Sequence, residues 1–345
     1  MTKRCPHSYK DLSTRQRQRG AALIVVLLLA ATLSFIALAL VGAVSRSAQR
    51  TAGATIRSEL LWRAVSAEAI AIAAIEQALD GVQRGGPPLT LEHPLFSQQL
   101  DIPFDGGGGA IIFADATRCF NLNSLVSIEG DGGKNEDAAA ELAGVLQGIG
   151  LGQGDAEKLT SVVVDWIDSD TIQEIGGAED NFYTNLPTPF RTGGGDLASV
   201  SELRAMLGVT DELYNAVSPL LCAHPNRNPV TININALRPV DAPLLVGLTD
   251  GAIDMATAEN IISNRPPGGW SRTADFWEQP VFDSLNDAES GAEAPIGRTS
   301  VSSQFIEAQA GATVNEIDMN IRLLFMTSES GGNVTLVKRE LGTSQ

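Results

Sequence analysis

Ala21 to Val44 runs 24 residues without an ionisable side chain, directly behind Arg15-Gln-Arg-Gln-Arg-Gly20, which places three positive charges in five residues. As a helix rising about 1.5 Å per residue the run spans roughly 36 Å, enough for a hydrocarbon core about 30 Å thick. The basic flank predicts that the N-terminal side stays cytoplasmic while the long C-terminal part crosses. Three arrangements share this pattern: a cleaved secretory signal, a plain membrane anchor, and a leader cut after Gly20 that leaves the apolar helix as the new N-terminus. A secretory signal has a shorter core with an Ala-x-Ala-like site at its far end. Here Arg46-Ser-Ala-Gln-Arg50 follows without a turn signal.

Leu60, Leu61, Ala64, Val65, Ala69, Ile72, Ala73 and Glu76 then recur at helical spacing up to Gly81. One helix over 21–80 is predicted, lipid-facing first and amphipathic afterwards. Gly85-Gly-Pro-Pro88 breaks it. Residues 89–105 read as loop with room for one short strand, and Gly106–Gly109 as a turn or hinge. Ala110-Ile-Ile-Phe-Ala114 and Cys119-Phe-Asn-Leu-Asn123 read as strands. Helices are predicted over Ala138–Leu146, over Asp155–Ile167 with Asp155 as N-cap, and over Ser199–Leu207, which opens with a Ser/Glu pairing. Asp211–Leu221, Ala256–Asn264 and Thr273–Glu278 complete the helical block. Ile317, Met319, Ile321 and Leu323 alternate with polar residues, the period of a half-buried strand, and Val334–Val337 can pair back across the Ser328–Asn333 turn. Strands on both sides of a helical block predict an α+β fold: one antiparallel sheet with an inserted helical subdomain. No internal repeat stands out.

Charge separates the chain at the same junction. Residues 1–20 carry +5, from Lys3, Arg4, Lys10, Arg15, Arg17 and Arg19 against Asp11, which leaves −22 on the rest of a chain whose net charge is −17. That field repels phosphate backbones and anionic headgroups. Cys5 falls in the leader; Cys119 and Cys222 remain, an even pair beyond the membrane, which leaves a disulfide or two buried thiols as the alternatives.

The densest acidic run is Asp165-Trp-Ile-Asp168-Ser-Asp170, continued by Gly176-Gly-Ala-Glu179-Asp180. Hard cations such as calcium take six to eight oxygen ligands, which a loop supplies from carboxylates and carbonyls. The i, i+2 spacing of Asp168 and Asp170 suits such a loop, but Ile172 and Gln173 stand where an EF-hand needs its next ligand and its glycine. A solvated acidic loop capping a helix is the plainer reading, and a general acid–base pair lacks any accompanying substrate motif. Glu129–Asp137 reads as a solvated turn. His93 and His224 lie in no ligand spacing, there is no C-x-x-C, G-x-S-x-G or Walker A motif, and Gly193-Gly-Gly195-Asp-Leu-Ala198 follows a proline-broken loop instead of a strand. Leu203–Thr210 and Ile234–Arg265 resemble helix–hairpin–helix nucleic-acid modules, but Asp211, Glu212, Asp250, Asp254 and Glu259 surround them. A helical packing unit, not a nucleic-acid site, is expected.

With these segments in order, the whole chain resembles the K-type minor pseudopilins of type II secretion systems (general secretion pathway protein K). The resemblance rests on Arg19-Gly-Ala-Ala-Leu-Ile-Val-Val-Leu-Leu29, Cys119-Phe-Asn-Leu-Asn-Ser-Leu125, Asp165-Trp-Ile-Asp-Ser-Asp170, Gly177-Ala-Glu-Asp-Asn181, Val200-Ser-Glu-Leu-Arg204 and Ile232-Asn-Ile-Asn-Ala236. It implies cleavage after Gly20 by prepilin peptidase, N-methylation of Ala21, and a pseudopilin fold with a helical insert that binds calcium. The calcium role carries onto Asp168, Asp170, Glu179 and Asp180, with Asp165 at the margin. Val25 stands at the fifth mature position, where major pilins and pseudopilins carry a glutamate that pairs with a neighbour's amine; its absence implies a subunit at the pseudopilus tip.

The resemblance further implies a non-enzymatic, single-pass inner-membrane protein with a periplasmic C-terminal domain. Its partners would be the I- and J-type minor pseudopilins, secreted substrates and the outer-membrane channel. The expected division is a leader over 1–20, a spine helix over 21–80, a sheet domain over 81–130 with 295–345, and a helical insert over 131–294. A type IV pilus minor pilin or tip adhesin would share the leader, and a membrane-tethered nucleic-acid-binding protein is the alternative of another class.

Overall fold

The structure, a computed structural model, describes residues 12–86, 88–104, 107–128, 132–286, 295–314, 317–328 and 333–342. Residues 1–11 of the leader with Cys5, Gly106, residues 129–131 of the second acidic loop and residues 329–332 of the C-terminal turn lie outside the described residues. The chain divides into two units, 1–62 and 63–345. Helix α1, Leu12–Gln83, begins in the first and ends in the second. Its apolar residues from Leu23 to Val44 are exposed, and it is the one helix among the described residues long and apolar enough to cross a membrane.

After α1 come α2 (Pro94–Ser97), β1 (Leu100–Phe104), β2 (Gly107–Asp115), β3 (Phe120–Asn121), α3 (Glu136–Gly148), α4 (Gln153–Ile167), α5 (Asp180–Tyr183), α6 (Asp211–Val217) and β4 (Leu221–Cys222). Then follow β5 (Ile232–Asn233), α7 (Ala242–Leu248), α8 (Met255–Ser263), α9 (Thr273–Trp277), β6 (Thr299–Ser300), β7 (Phe305–Val314), β8 (Ile317–Thr327) and β9 (Val334–Gly342).

Ala67, Ala71, Ile75 and Leu79 of α1 recur every four residues and are buried against Ile111, Phe113, Ile306, Ala308, Ile321, Leu323 and Phe325 of the sheet. Of the stripe expected from sequence, Ile72 packs at the edge of this core, but Val65, Ala69 and Ala73 are two residues out of phase with it. At about 100° per residue, Val65, Ala69 and Ala73 stand roughly 200° around the helix, and they are exposed. This part of α1 is therefore apolar on two opposite faces, one of them packed on the sheet.

The sheet is antiparallel in the order β1-β2-β7-β8-β9. The helical block enters after β2 and returns at β7, so an insertion of nearly two hundred residues separates neighbouring strands. Gly107, Gly108 and Gly109, expected in a turn, lie inside β2 and pair with both β1 and β7. The strand at Cys119–Asn123 shrinks to two residues, because Asn121 accepts the Asn123 amide and starts the tight turn Leu122–Leu125. Gly152, not Asp155, precedes α4, and Asp155 sits in its first turn. Ser199 and Glu202 do form a capping box, but the segment it starts is a 3-10 turn over Val200–Ala205.

The helical core joins Leu142, Val145 and Leu146 of α3 with Val162 and Val163 of α4, Leu245 and Leu248 of α7, and Ile262 of α8. It also takes in Phe120, Leu122 and Leu125, upstream of the residue-131 boundary expected from sequence. Two helical hairpins, α3–α4 and α7–α8, share one turn geometry. Gly150 donates to the Gln147 carbonyl and Leu151 to Leu146; Asp250 donates to Gly247 and Gly251 to Val246. Gly150 and Asp250 thus hold equivalent places, both left-handed at φ 100° and 48°. The hairpins fall here and not at Leu203–Thr210, which forms a tight turn leading into α6. Short parallel pairings, β3 with β4 and β5 with β6, frame the block.

Candidate metal centre

Helix α4 ends at Ile167, and Asp168 leaves it with an extended backbone while its amide still bonds the Val164 carbonyl. Asp165 therefore lies on the last turn of α4 and Asp168 just beyond it. The loop returns through Gly176, left-handed at φ 85°, and Glu179 opens α5. Gly177 is required by close approach: a β-carbon there would run into the Asp165 carboxylate. This fold-back brings oxygens of Asp168, Asp170 and Glu179 within 4.8 Å of one another.

Asp168 and Glu179 are each 5% exposed and Asp165 1%. Asp165 Oδ1 accepts the Glu174 amide at 3.0 Å and Asp170 Oδ1 accepts the Ile172 amide at 2.6 Å. Asp165 Oδ2, Asp168 Oδ1 and Glu179 Oε1 are buried without a hydrogen-bond partner. Buried carboxylate oxygens are normally satisfied, and three orphans in one fold-back make it the candidate cation site. The Asp168 carboxyl is pushed up to about 7, first by burial and then by repulsion from Asp170, Glu179, Asp165 and Glu174. Burial likewise raises Glu179, and raises Asp165 against the opposing pull of the Glu174 amide. The donors are all oxygen, the set that suits a hard cation such as calcium.

Asp180, expected among the ligands, points elsewhere. Its carboxylate accepts the Thr192 amide at 2.8 Å and hydroxyl at 2.9 Å and pairs with Arg191 at 2.7 Å. These bonds, the Thr192 amide foremost, hold its carboxyl below the usual range. Asp180 pins the 190–192 loop beside the fold-back. Sequence reading passed over Glu174, whose amide serves Asp165 while its carboxylate reaches Lys134 at 3.6 Å. Only the spacing of Gly176-Gly177 hinted at the tight return.

Of the remaining expected residues, Gly20 and Ala21 lie within the continuous α1, and Val25 is exposed. Cys119 and Cys222 are disulfide-bonded, with Cα atoms 5.6 Å apart beside the β3–β4 pairing. His224 is buried next to them, stacked on Phe305 at 4.4 Å.

Family models described as type II secretion system (T2SS), protein K match residues 118–226 and 232–295. A protein K of Pectobacterium carotovorum is 32% identical over 332 residues, covering 95% of this chain and 98% of the relative. The chain belongs to the type II secretion system protein K family. A protein K of Aeromonas hydrophila is 29% identical, covering 93% of this chain and 96% of that one. The fold of this chain also matches a chain in the crystal structure of the GspK-GspI-GspJ complex from enterotoxigenic Escherichia coli, at TM-score 0.71 and 27% identity, covering 86% of this chain and all of that one. As a protein K, the chain is a minor pseudopilin of the type II secretion system.

Proposed function

We propose that this minor pseudopilin is a non-enzymatic subunit, held in the inner membrane by α1 with its folded domains in the periplasm. There it caps and helps initiate the pseudopilus that drives export of folded proteins. Prepilin peptidase cuts after Gly20, and Ala21 becomes the methylated N-terminus. The observation that carries the tip position is Val25: without a carboxylate there, α1 cannot pair with the N-terminal amine of a neighbour. The outward apolar face of α1 at Val65, Ala69 and Ala73 supports side-by-side packing with I- and J-type pseudopilins, the partners present in the complex of the Escherichia coli relative. A sheet domain with one inserted helical domain fits a subunit that receives neighbours only from below.

Cysteine at Val65 should cross-link to an I- or J-type subunit in membranes, and antibody should label sheared pseudopili at one end only. Labelling along their length would sink the tip assignment.

The acidic fold-back is proposed as a structural calcium site in which Asp168, Asp170 and Glu179 supply ligands and Asp165 completes or orients the set. Bound calcium would neutralise the mutual repulsion of these carboxylates and hold the loop to the end of α4. Calcium should raise the melting temperature of the full chain, and Asp168→Ala with Asp170→Ala should abolish that rise. An unchanged response in the double variant would remove the site.

A further inference from the structure

A groove of about 800 Å³ runs between α3, α4 and the turn that joins α7 to α8. Its floor is built from small residues of α3, where Ala140 and Ala143 leave the helix backbone within reach of an incoming chain. Apolar side chains stand at its edges. Val246 and Ile253 are buried in the walls, and Ile175 is 96% exposed at the lip. Ile175 thus extends the apolar surface of the floor to the lip.

The rim is acidic. Glu136, Glu157, Glu174, Asp250 and Asp254 surround the opening, against a single lysine, Lys134. Lys134 is already engaged by Glu136 at 3.0 Å and Glu174 at 3.6 Å. Asp250 stands at the hairpin position that glycine holds in α3–α4, a left-handed place that sends a carboxylate to the rim. The rim carboxylates do not converge on one point: among the described residues, the carboxylates close enough to share an ion are those of Asp168, Asp170 and Glu179. A ring of separated negative charges around an apolar floor complements cations spaced along a chain, not a single ion.

We propose that this groove is a docking surface for a lysine- or arginine-bearing apolar segment of another polypeptide. The segment lays its apolar side chains on the α3 floor, and its cations meet Glu157 and Asp250 on opposite rims. This goes beyond the capping role: the two rim carboxylates it relies on, Glu157 and Asp250, lie outside the acidic fold-back, whereas Ile175 at the lip belongs to it.

The test uses the full chain in phosphatidylcholine nanodiscs and two fluorescent probes of equal length, a lysine/leucine peptide and a glutamate/leucine peptide. Anisotropy should report saturable binding of the lysine probe alone, weakening as salt rises. Ala140→Trp, at an exposed position on the floor, should reduce affinity about tenfold or more, as should Glu157→Gln with Asp250→Asn. Circular dichroism melts check that each variant keeps its fold. Binding no better than to empty nanodiscs, equal binding of the glutamate probe, or undiminished binding by both folded variants would each overturn the proposal.

Discussion

Gly144 of α3 lies against Gly247 of α7, so closely that a β-carbon on Gly144 would stand 2.7 Å from the Gly247 Cα. A β-carbon on Gly247 would meet the Glu141 carbonyl oxygen and Val145 Cγ2, each at 2.5 Å. The two helical hairpins meet at this contact, and turning the Val145 side chain would not relieve it, because the Glu141 carbonyl and the Val145 amide nitrogen are backbone atoms. Gly247→Ala should destabilise the chain by about 2–4 kcal/mol through overpacking. Gly154→Ala is the control: nothing lies within 4 Å of its added carbon, so it should be neutral or stabilise by up to about 1 kcal/mol. Denaturant midpoints of the two variants check both directions.

Asp168 predicts an unusual pair of effects. Its ionised form is opposed by burial and by its acidic neighbours, so Asp168→Asn should raise the melting temperature of the cation-free protein at pH 8. The same variant should lose most of the calcium-induced rise. A fall in cation-free stability would mean that the carboxylate is satisfied by something other than a cation.

Burial holds His224 down to about 4 from an ordinary 6.5. Between those values the unfolded chain binds the proton and the folded chain does not, so the contribution of His224 to stability is fully present above pH 6.5 and is lost as pH falls towards 4. The loss should total on the order of 3 kcal/mol. His224→Gln should flatten that part of the curve, which urea titrations of both proteins from pH 7 to about 4 would reveal.

Glu141 in α3 is 5% exposed and takes both Nη atoms of Arg298, at 2.6 and 3.0 Å. Burial still lifts the Glu141 carboxyl despite that partner. Arg298→Met, which strands the carboxylate, should cost about 3–5 kcal/mol, whereas adding Glu141→Leu should recover most of it. Melting temperatures of the single and double variants complete the cycle.

The α+β plan, the long N-terminal helix and the C-terminal hairpin were legible in the sequence because each has a strong period. Ile321 and Leu323 alternate with polar neighbours, and Ala21–Val44 has no charge to interrupt it. β7 was missed because its inward positions include Ala308 and Ala310, whose small side chains give a weak signal against Glu307 and Gln309. α7 was missed because every one of its residues is buried, so a short helix shows no amphipathic period. At the acidic fold-back, residue types and spacing marked Asp165, Asp168, Asp170 and Glu179 as one acidic cluster with Asp180. Separating Asp180 from them required the return path of the loop, which places Thr192 and Arg191 on that carboxylate. Helical spacing marked α1 as apolar but could not say which apolar face meets the sheet, since both faces carry alanines and aliphatics.

The Cys119–Cys222 bond joins two points 103 residues apart, one just after β2 and the other just after α6. Everything between them, α3, α4, the acidic fold-back and α6, is a covalently closed ring. A protease that cut one exposed peptide bond in the 168–196 loops would leave a single species heavier by one water under non-reducing conditions and two fragments after reduction. The subunit can thus be nicked at its outer loops and still hold together as one covalent object.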